Sequence, residues 1–272
     1  MPPQKHIVVS GGFDDIKSRD LRFLEEAAKL GDLTVWLWTD SMIRQLTGKE
    51  PKFPLAERWY FLNAVRYVNR VVEAGGPDGF DTLPKNLKAG VWADIETTAS
   101  SARENFARGN KIAYRVFLPE ELKGFPEPPP TPSAPGRKKI VATGCYDWFH
   151  SGHVRFCEEV SAYGDLYVCL GSDANVRLLK GEGHPLLCED ERRYVVGSIK
   201  FVKQALITTG TGWVDADPEI RRLKPDIYVV NEDGDKGGKR EYCQKLGIEY
   251  LVLKRTPAPG LAKRSSTDLR GF

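Results

Sequence analysis

Two histidines, His150 and His153, stand three residues apart in the segment GCYDWFHSGH (Gly144 to His153) and flank Gly152. A β-branched run, Lys139 to Thr143, precedes the segment, and an amphipathic pattern ending at a glycine follows it, so the segment joins a strand to a helix start. Positions i and i+3 share a helix face, and both rings can point at one spot. That spot also receives the unpaired N–H groups and the positive dipole of the helix amino terminus, which together favour phosphate. Gly152 lets a ligand approach the backbone closely. Imidazoles placed in this way can donate hydrogen bonds to a phosphate whose charge grows during attack at phosphorus. Two other readings compete: the histidines cap the helix or pack in its first turn, or they belong to a zinc site. Zinc asks for three or four ligands, and the remaining histidines, His6 and His184, complete no recognised spacing.

The elements that would position these rings occur twice. Closely spaced prolines in Gly124 to Arg137, GFPEPPPTPSAPGR, favour extended geometry and mark a linker. The chain is thus expected to divide into residues 1–119, a proline-rich strap over 120–138, and residues 139–272. With an offset of 133 residues, Gly11 matches Gly144, Asp14 matches Asp147, Arg22 matches Arg155, and Gly31-Asp32-Leu33 matches Gly164-Asp165-Leu166. Asp40 falls on Asp173, and Glu57-Arg58 on Glu191-Arg192 after a short gap. Such alignment of glycines and charges makes the halves homologous domains. Strands are predicted at His6 to Ser10, Leu33 to Trp38, Lys139 to Thr143, Leu166 to Leu170, Ala205 to Thr208, Ile227 to Val230 and Glu249 to Leu253. Helices are predicted over Glu189 to Val202, Asp217 to Leu223 and Lys239 to Leu246. This alternation implies an α/β fold of two tandem Rossmann-like domains, with parallel sheets flanked by helices and ligands beyond the carboxyl ends of the strands. Asn231, Glu232 and Asp233 follow a strand on that side and are placed to orient a base or an acceptor, and a polar turn explains them equally well.

The segment GCYDWFHSGH resembles the H-x-G-H signature of the cytidylyltransferase-like nucleotidyltransferases. GSDANVRLLKGEGHP, from Gly171 to Pro185, resembles the family stretch that carries a phosphate-binding lysine, here Lys180. Glu191-Arg192 resembles the E-R pair of its next helix, and Arg264-Ser265-Ser266-Thr267 its late R-x-S-T motif. Four motifs in the right order carry more weight than any one alone. The resemblance implies transfer of a nucleoside monophosphate from a nucleoside triphosphate to a phosphorylated small molecule, with release of pyrophosphate and with Mg2+ on the triphosphate. It implies catalytic roles for His150, His153 and Lys180. Gly144, Cys145, Tyr146, Asp147, Phe149, Gly152, Arg264, Ser265, Ser266 and Thr267 would hold the nucleotide, and Asp173 would join Asn231, Glu232 and Asp233 at the base or acceptor. SSTDL is similar to a segment of choline- and ethanolamine-phosphate cytidylyltransferases and favours CTP, whereas SDANVRLLKGEGHP is as similar to an adenylyltransferase that activates a sugar phosphate.

In the first copy Lys17 and Asp20 stand at the histidine positions and Arg19 at the glycine, so that copy is expected to be inactive. An acid and a bulky arginine there would repel and obstruct a triphosphate. The tandem arrangement resembles that of ethanolamine-phosphate cytidylyltransferase with the inactive unit first, and the two domains are expected to form an intrachain pseudo-dimer. The 40 basic and 37 acidic residues are interleaved, which does not suggest a nucleic-acid partner. No apolar run is long enough to span a membrane, the amino terminus has no signal-peptide profile, and the five cysteines form no C-x-x-C pair, so the protein is expected to be cytoplasmic with free thiols. A function of another class, a nonenzymatic nucleotide sensor, would bind the triphosphate without turnover.

Overall fold

The β-branched runs that open each half form the middle strand of a parallel sheet, and every later element is placed relative to that strand. The computed structural model describes residues 5–76, 79–128 and 132–269, with the backbone alone at 267 and 268. Contacts divide the chain into two compact units, Met1–Gly124 and Phe125–Phe272.

Unit 1 runs β1 (His6–Gly11), α1 (Ser18–Ala28), β2 (Asp32–Leu37), α2 (Asp40–Thr47), α3 (Leu55–Ala64), β3 (Arg70–Glu73), β4 (Val91–Ile95), α4 (Ser101–Gly109) and β5 (Ala113–Phe117). Unit 2 runs β6 (Lys139–Gly144), α5 (Ser151–Ser161), β7 (Asp165–Leu170), α6 (Asp173–Lys180), α7 (Glu189–Gly197), β8 (Val202–Ile207), α8 (Asp217–Leu223), β9 (Ile227–Asn231), α9 (Lys239–Leu246), β10 (Glu249–Leu253) and α10 (Ser266–Leu269). The sheet orders are β3-β2-β1-β4-β5 and β10-β9-β6-β7-β8, which become one order when strands are counted within each unit. The pairings are parallel, and the registers match: Ile7 lies beside Leu33 and Val91, and Ile140 beside Leu166 and Ile227. Burial on both faces explains the continuous apolar runs Ile7-Val8-Val9 and Ile140-Val141-Ala142.

The helix expected over Glu189 to Val202 stops at Gly197. From there the backbone tightens into three-residue turns, with Ile199 N–H donating to Val196 O and Val202 N–H to Ile199 O, and β8 starts at Val202 rather than Ala205. The proline-rich stretch is tacked down in part. Pro119–Leu122 forms a 3-10 turn whose Leu122 is buried in unit 1, while the Phe125 ring lies 5.9 Å from that of Tyr194 in unit 2. Arg137 donates to the carbonyls of Ser161 and Gly164, 2.7 Å each.

The residues that repeat between the halves build two clasps. Asp14 accepts the N–H groups of Lys52 and Phe53 at 2.6 and 2.8 Å, and Asp147 accepts those of Leu186 and Leu187 at 2.7 and 3.0 Å. Arg58 donates to the carbonyls of Phe53, Gly12 and Trp38 and to the Asp40 carboxylate. Arg192 repeats the pattern on the carbonyls of Leu187, Cys145 and Gly171 and on Asp173. Both guanidiniums are buried, and the fan of donors that only arginine supplies ties the glycine turn after the first strand to the end of the second. In each turn an aromatic residue takes a left-handed conformation, Phe13 at φ 47° and Tyr146 at φ 53°. Each ring folds over the glycine two residues earlier, where a Cβ would meet it at 3.1 Å (Gly11) or 2.7 Å (Gly144). Strain of this sort persists only where the surroundings fix it.

Candidate active site

The turn so fixed delivers His150 to the cap of α5. Its backbone is extended, at φ −148° and ψ 174°, and its side chain does what serine or aspartate usually does at a cap: Nδ1 accepts the N–H of Gly152 at 3.0 Å. A ring nitrogen that accepts carries no proton, so in the neutral ring the proton sits on Nε2. That Nε2 is buried and has no hydrogen-bond partner among the described residues. Gly152 is required for this arrangement, because a Cβ there would lie 2.9 Å from His150 Cε1.

His153 lies one turn on. Its ring centroid is 4.0 Å from that of His150, it stacks on Phe149 at 5.2 Å, and Tyr146 meets it edge-on at 5.2 Å. Its Nδ1 is likewise buried without a partner. Burial first, then the charges of Arg255 and Arg264, push the His150 pKa down to about 4. Burial also holds His153 well below the usual imidazole range, with His150, Arg255 and Lys180 adding to the effect. Both shifts favour the neutral rings, so each ring can offer a hydrogen-bond donor rather than a cation.

The rings border a cavity of about 300 Å³ at the carboxyl ends of β6 and β9. These strands lie where the chain order of the sheet reverses, the place where open α/β sheets bind ligands. Of the residues expected from sequence, Gly144, Cys145, Tyr146, His150, Gly152, His153, Asn231, Asp233, Ser265 and Ser266 line it. Phe149 supports His153 from behind. Asn231 presents a buried Oδ1 with no partner among the described residues. Ser266 donates to the carbonyl of Trp148 at 3.1 Å, which draws the start of α10 against the histidine loop. Arg264 borders an adjoining hollow, and its carbonyl accepts from Arg255. The side chain of Thr267 lies outside the described residues.

Four expected residues stand elsewhere. Asp147 and Asp173 do not line the cavity: Asp147 holds backbone N–H groups through Oδ1, with Oδ2 3.5 Å from His184 Nδ1, and Asp173 holds Arg192. Lys180 is exposed at the end of α6 and reaches the site through its field on His153 rather than as part of the lining. Glu232 is likewise outside the lining, where it accepts the N–H of Arg255 at 3.2 Å.

Two cations in the lining were not anticipated. Arg255, just past β10, is oriented by Asp233 and by the carbonyl of Arg264. Lys239 opens α9 behind Gly237 and Gly238 and donates to the carbonyl of Gly234 at 3.0 Å, and burial lowers its pKa. Both follow the carboxyl ends of strands or the glycines beyond them, which is the one signal in the sequence that could have pointed to them. Among the described residues no three His, Cys, Asp or Glu side chains converge in a way that could hold a metal ion.

The corresponding place in unit 1 is filled. Lys17 caps α1 with its N–H on Asp20 at 2.8 Å and pairs with Asp15 at 2.9 Å. By register, Asp94 and Ile95 stand where unit 2 has Val230 and Asn231. Arg103 bonds Asp94 at 2.6 Å from between the rings of Trp38 and Trp92, and the Tyr114 hydroxyl donates to the same carboxylate.

Among known proteins, the family described as cytidylyltransferase-like matches residues 141–271. A FAD synthase from Ferroglobus placidus is 37% identical over 120 residues, which cover 43% of this chain and 75% of that protein. A FAD synthase from Aciduliprofundum boonei is 34% identical over 136 residues, covering 49% of this chain and 84% of that protein. A bifunctional protein HldE from Aliarcobacter butzleri is 33% identical over 122 residues, covering 44% of this chain, and the match spans only 24% of the relative's length.

Proposed function

The chain belongs to the cytidylyltransferase-like nucleotidyltransferase family, and from that premise we propose that unit 2 transfers a nucleoside monophosphate from a nucleoside triphosphate to a phosphorylated small molecule. An oxygen of the acceptor phosphate forms a bond to the α-phosphorus, the bond from that phosphorus to the bridging oxygen breaks, and pyrophosphate leaves. The observation that carries the reading is the locked tautomer of His150, whose Nδ1 is occupied by Gly152 and whose buried Nε2 has no partner. Such a donor costs no reorganisation when charge develops on the α-phosphate. His153 adds a second neutral donor beside it. Arg255, Lys239 and the start of α5 would hold the phosphates, and Ser265 and Ser266 would close the other wall.

Magnesium, when bound, neutralises phosphate charge. Asp233 is the carboxylate of the lining and already pairs with Arg255, so the donor set suits an ion that arrives on phosphate oxygens and keeps its waters.

ATP is taken first as donor, because two relatives whose length the chain largely covers are named FAD synthases, and FAD contains an adenylyl group. CTP, the expectation from Ser265 to Leu269, is the competing arm. The test follows pyrophosphate release with ATP, CTP, GTP and UTP, each crossed against flavin mononucleotide, phosphorylated alcohols and sugar phosphates. Triphosphate binding with no pyrophosphate release for any pair would leave the nonenzymatic sensor in its place.

A further inference from the structure

Unit 1 lacks the histidine pair, yet it holds a cavity of about 550 Å³. A missing helix makes the room. In unit 2, α8 covers one face of the sheet, with Ala216 and Ile220 packed against Val141, Cys169 and Tyr228, and its end is held where Lys139 Nζ donates to the carbonyl of Leu223 at 3.2 Å. In unit 1, β3 and β4 are joined by residues 74–90, which form no α-helix among the described residues. Trp36 stands at the register position of Cys169 and packs with Ala74 and Leu83, so one large ring takes part of the volume of the absent helix. The remainder is the cavity, with Trp36, Val72 and Leu87 as apolar walls, Thr34 beside them, and Arg70, Lys88 and Glu73 as the charged residues of the lining.

Two observations distinguish this cavity from bare surface. Arg70 and Lys88 line it together and make no ion pair or side-chain hydrogen bond among the described residues. Trp36 is 6% exposed and packs with Ala74 and Leu83, so the apolar wall it offers is held in place. Apolar walls and two cations, which outnumber Glu73 as the one carboxylate of the lining, describe a receptor for an amphiphilic anion.

We propose that this cavity is a second ligand site, which binds a phosphorylated ring compound of nucleoside-monophosphate size. The ring packs against Trp36, Val72 and Leu87, and the phosphate lies on Arg70 and Lys88. The site belongs to unit 1 alone and does not depend on the reaction assigned to unit 2.

The test titrates the full chain with AMP, CMP and inorganic phosphate by calorimetry. The expected result is one monophosphate site per chain that survives Arg255→Ala in unit 2 and weakens at least about tenfold in the double variant Arg70→Glu, Lys88→Glu. Both substituted residues are exposed, so the thermal transition should hardly move, and turnover without monophosphate should be unchanged. Thr34→Tyr, which installs the residue unit 2 has at that register position, should abolish the same site by filling it. The assignment is overturned if neither AMP nor CMP binds once Arg255 is removed, if charge reversal and filling leave binding intact, or if inorganic phosphate binds as tightly as the monophosphates.

Discussion

Gly152→Ala separates the chemistry from the fold with a single methyl group. The added Cβ would stand 2.9 Å from His150 Cε1 and 3.0 Å from its Nδ1. Carbon contacts relax at about 3.5–4.0 Å, so the ring must withdraw by roughly 0.6 Å or more. That shift loosens the 3.0 Å bond from the residue 152 N–H, and with it the proton's assignment to Nε2. A donor misplaced by about 1 Å costs on the order of a hundredfold in rate, so turnover should fall about 10–100-fold, equivalent to about 1.4–2.7 kcal/mol. Stability should move little. Alanine within a helix gains about 0.5–1 kcal/mol over glycine, and the lost cap bond costs about 0.5–1.5 kcal/mol. Pyrophosphate release gives the rate, circular dichroism gives the melting temperature, and the ¹⁵N shifts of the imidazole report the tautomer. Turnover within about twofold of the parent, or an unchanged Nε2–H tautomer in the variant, would refute the reasoning.

The same geometry fixes the other expectations. His150→Ala and His153→Ala should each lower turnover by at least about a hundredfold with the fold intact, whereas Lys17→Ala and Asp20→Ala in unit 1 should leave it nearly unchanged, as measured by pyrophosphate release. His150 has a folded-state pKa near 4 against an ordinary 6.5, so its neutral form contributes stability that is complete above about pH 6.5 and is lost as pH falls toward 4. His150→Gln should accordingly lose less stability than the parent across that window in urea titrations, and the parent's His150 ring signals should stay flat from pH 8 to about 5 in NMR. Arg255→Gln should raise the KM for the triphosphate about tenfold or more, since it removes charge-assisted bonds at the cavity wall. Arg192→Ala should cost about 3 kcal/mol or more in denaturant unfolding, because it strips four bonds and leaves Asp173 and three carbonyls unpaired.

Much of the frame was legible in the sequence. The offset that pairs Gly11 with Gly144 and Asp14 with Asp147 anticipates one strand order in both sheets, since matching turns demand matching neighbours. The histidine pair was legible as well, because two rings at a helix start can converge without help from distant residues. Asp147 and Asp173, which the resemblance places at the nucleotide and at the base or acceptor, also recur in both halves as Asp14 and Asp40, and in the structure both acids hold backbone or arginine rather than border the cavity. Arg255 and Lys239 escaped notice because their convergence on His150 depends on how β10 and α9 pack against β9, and no local pattern encodes it. The early end of α7 depended on turn geometry after Gly197, where apolar periodicity continues although the helix does not.

The shared strand order also sets a schedule for synthesis. The middle strand of each sheet is made first, but its second neighbour comes late: β1 must wait for residue 91, and β6 for residue 227. At ~5–20 residues per second, each wait lasts several seconds, during which one edge of the central strand stays open to any extended partner. Tandem domains of similar sequence are prone to trading strands in such an interval. Here β4 and β5 precede β6 in the chain, so the first sheet can be sealed before the most similar competitor emerges. The stretch from 118 to 138 contributes no strand among its described residues, and its synthesis lengthens the interval between the last strand of the first sheet and the first strand of the second.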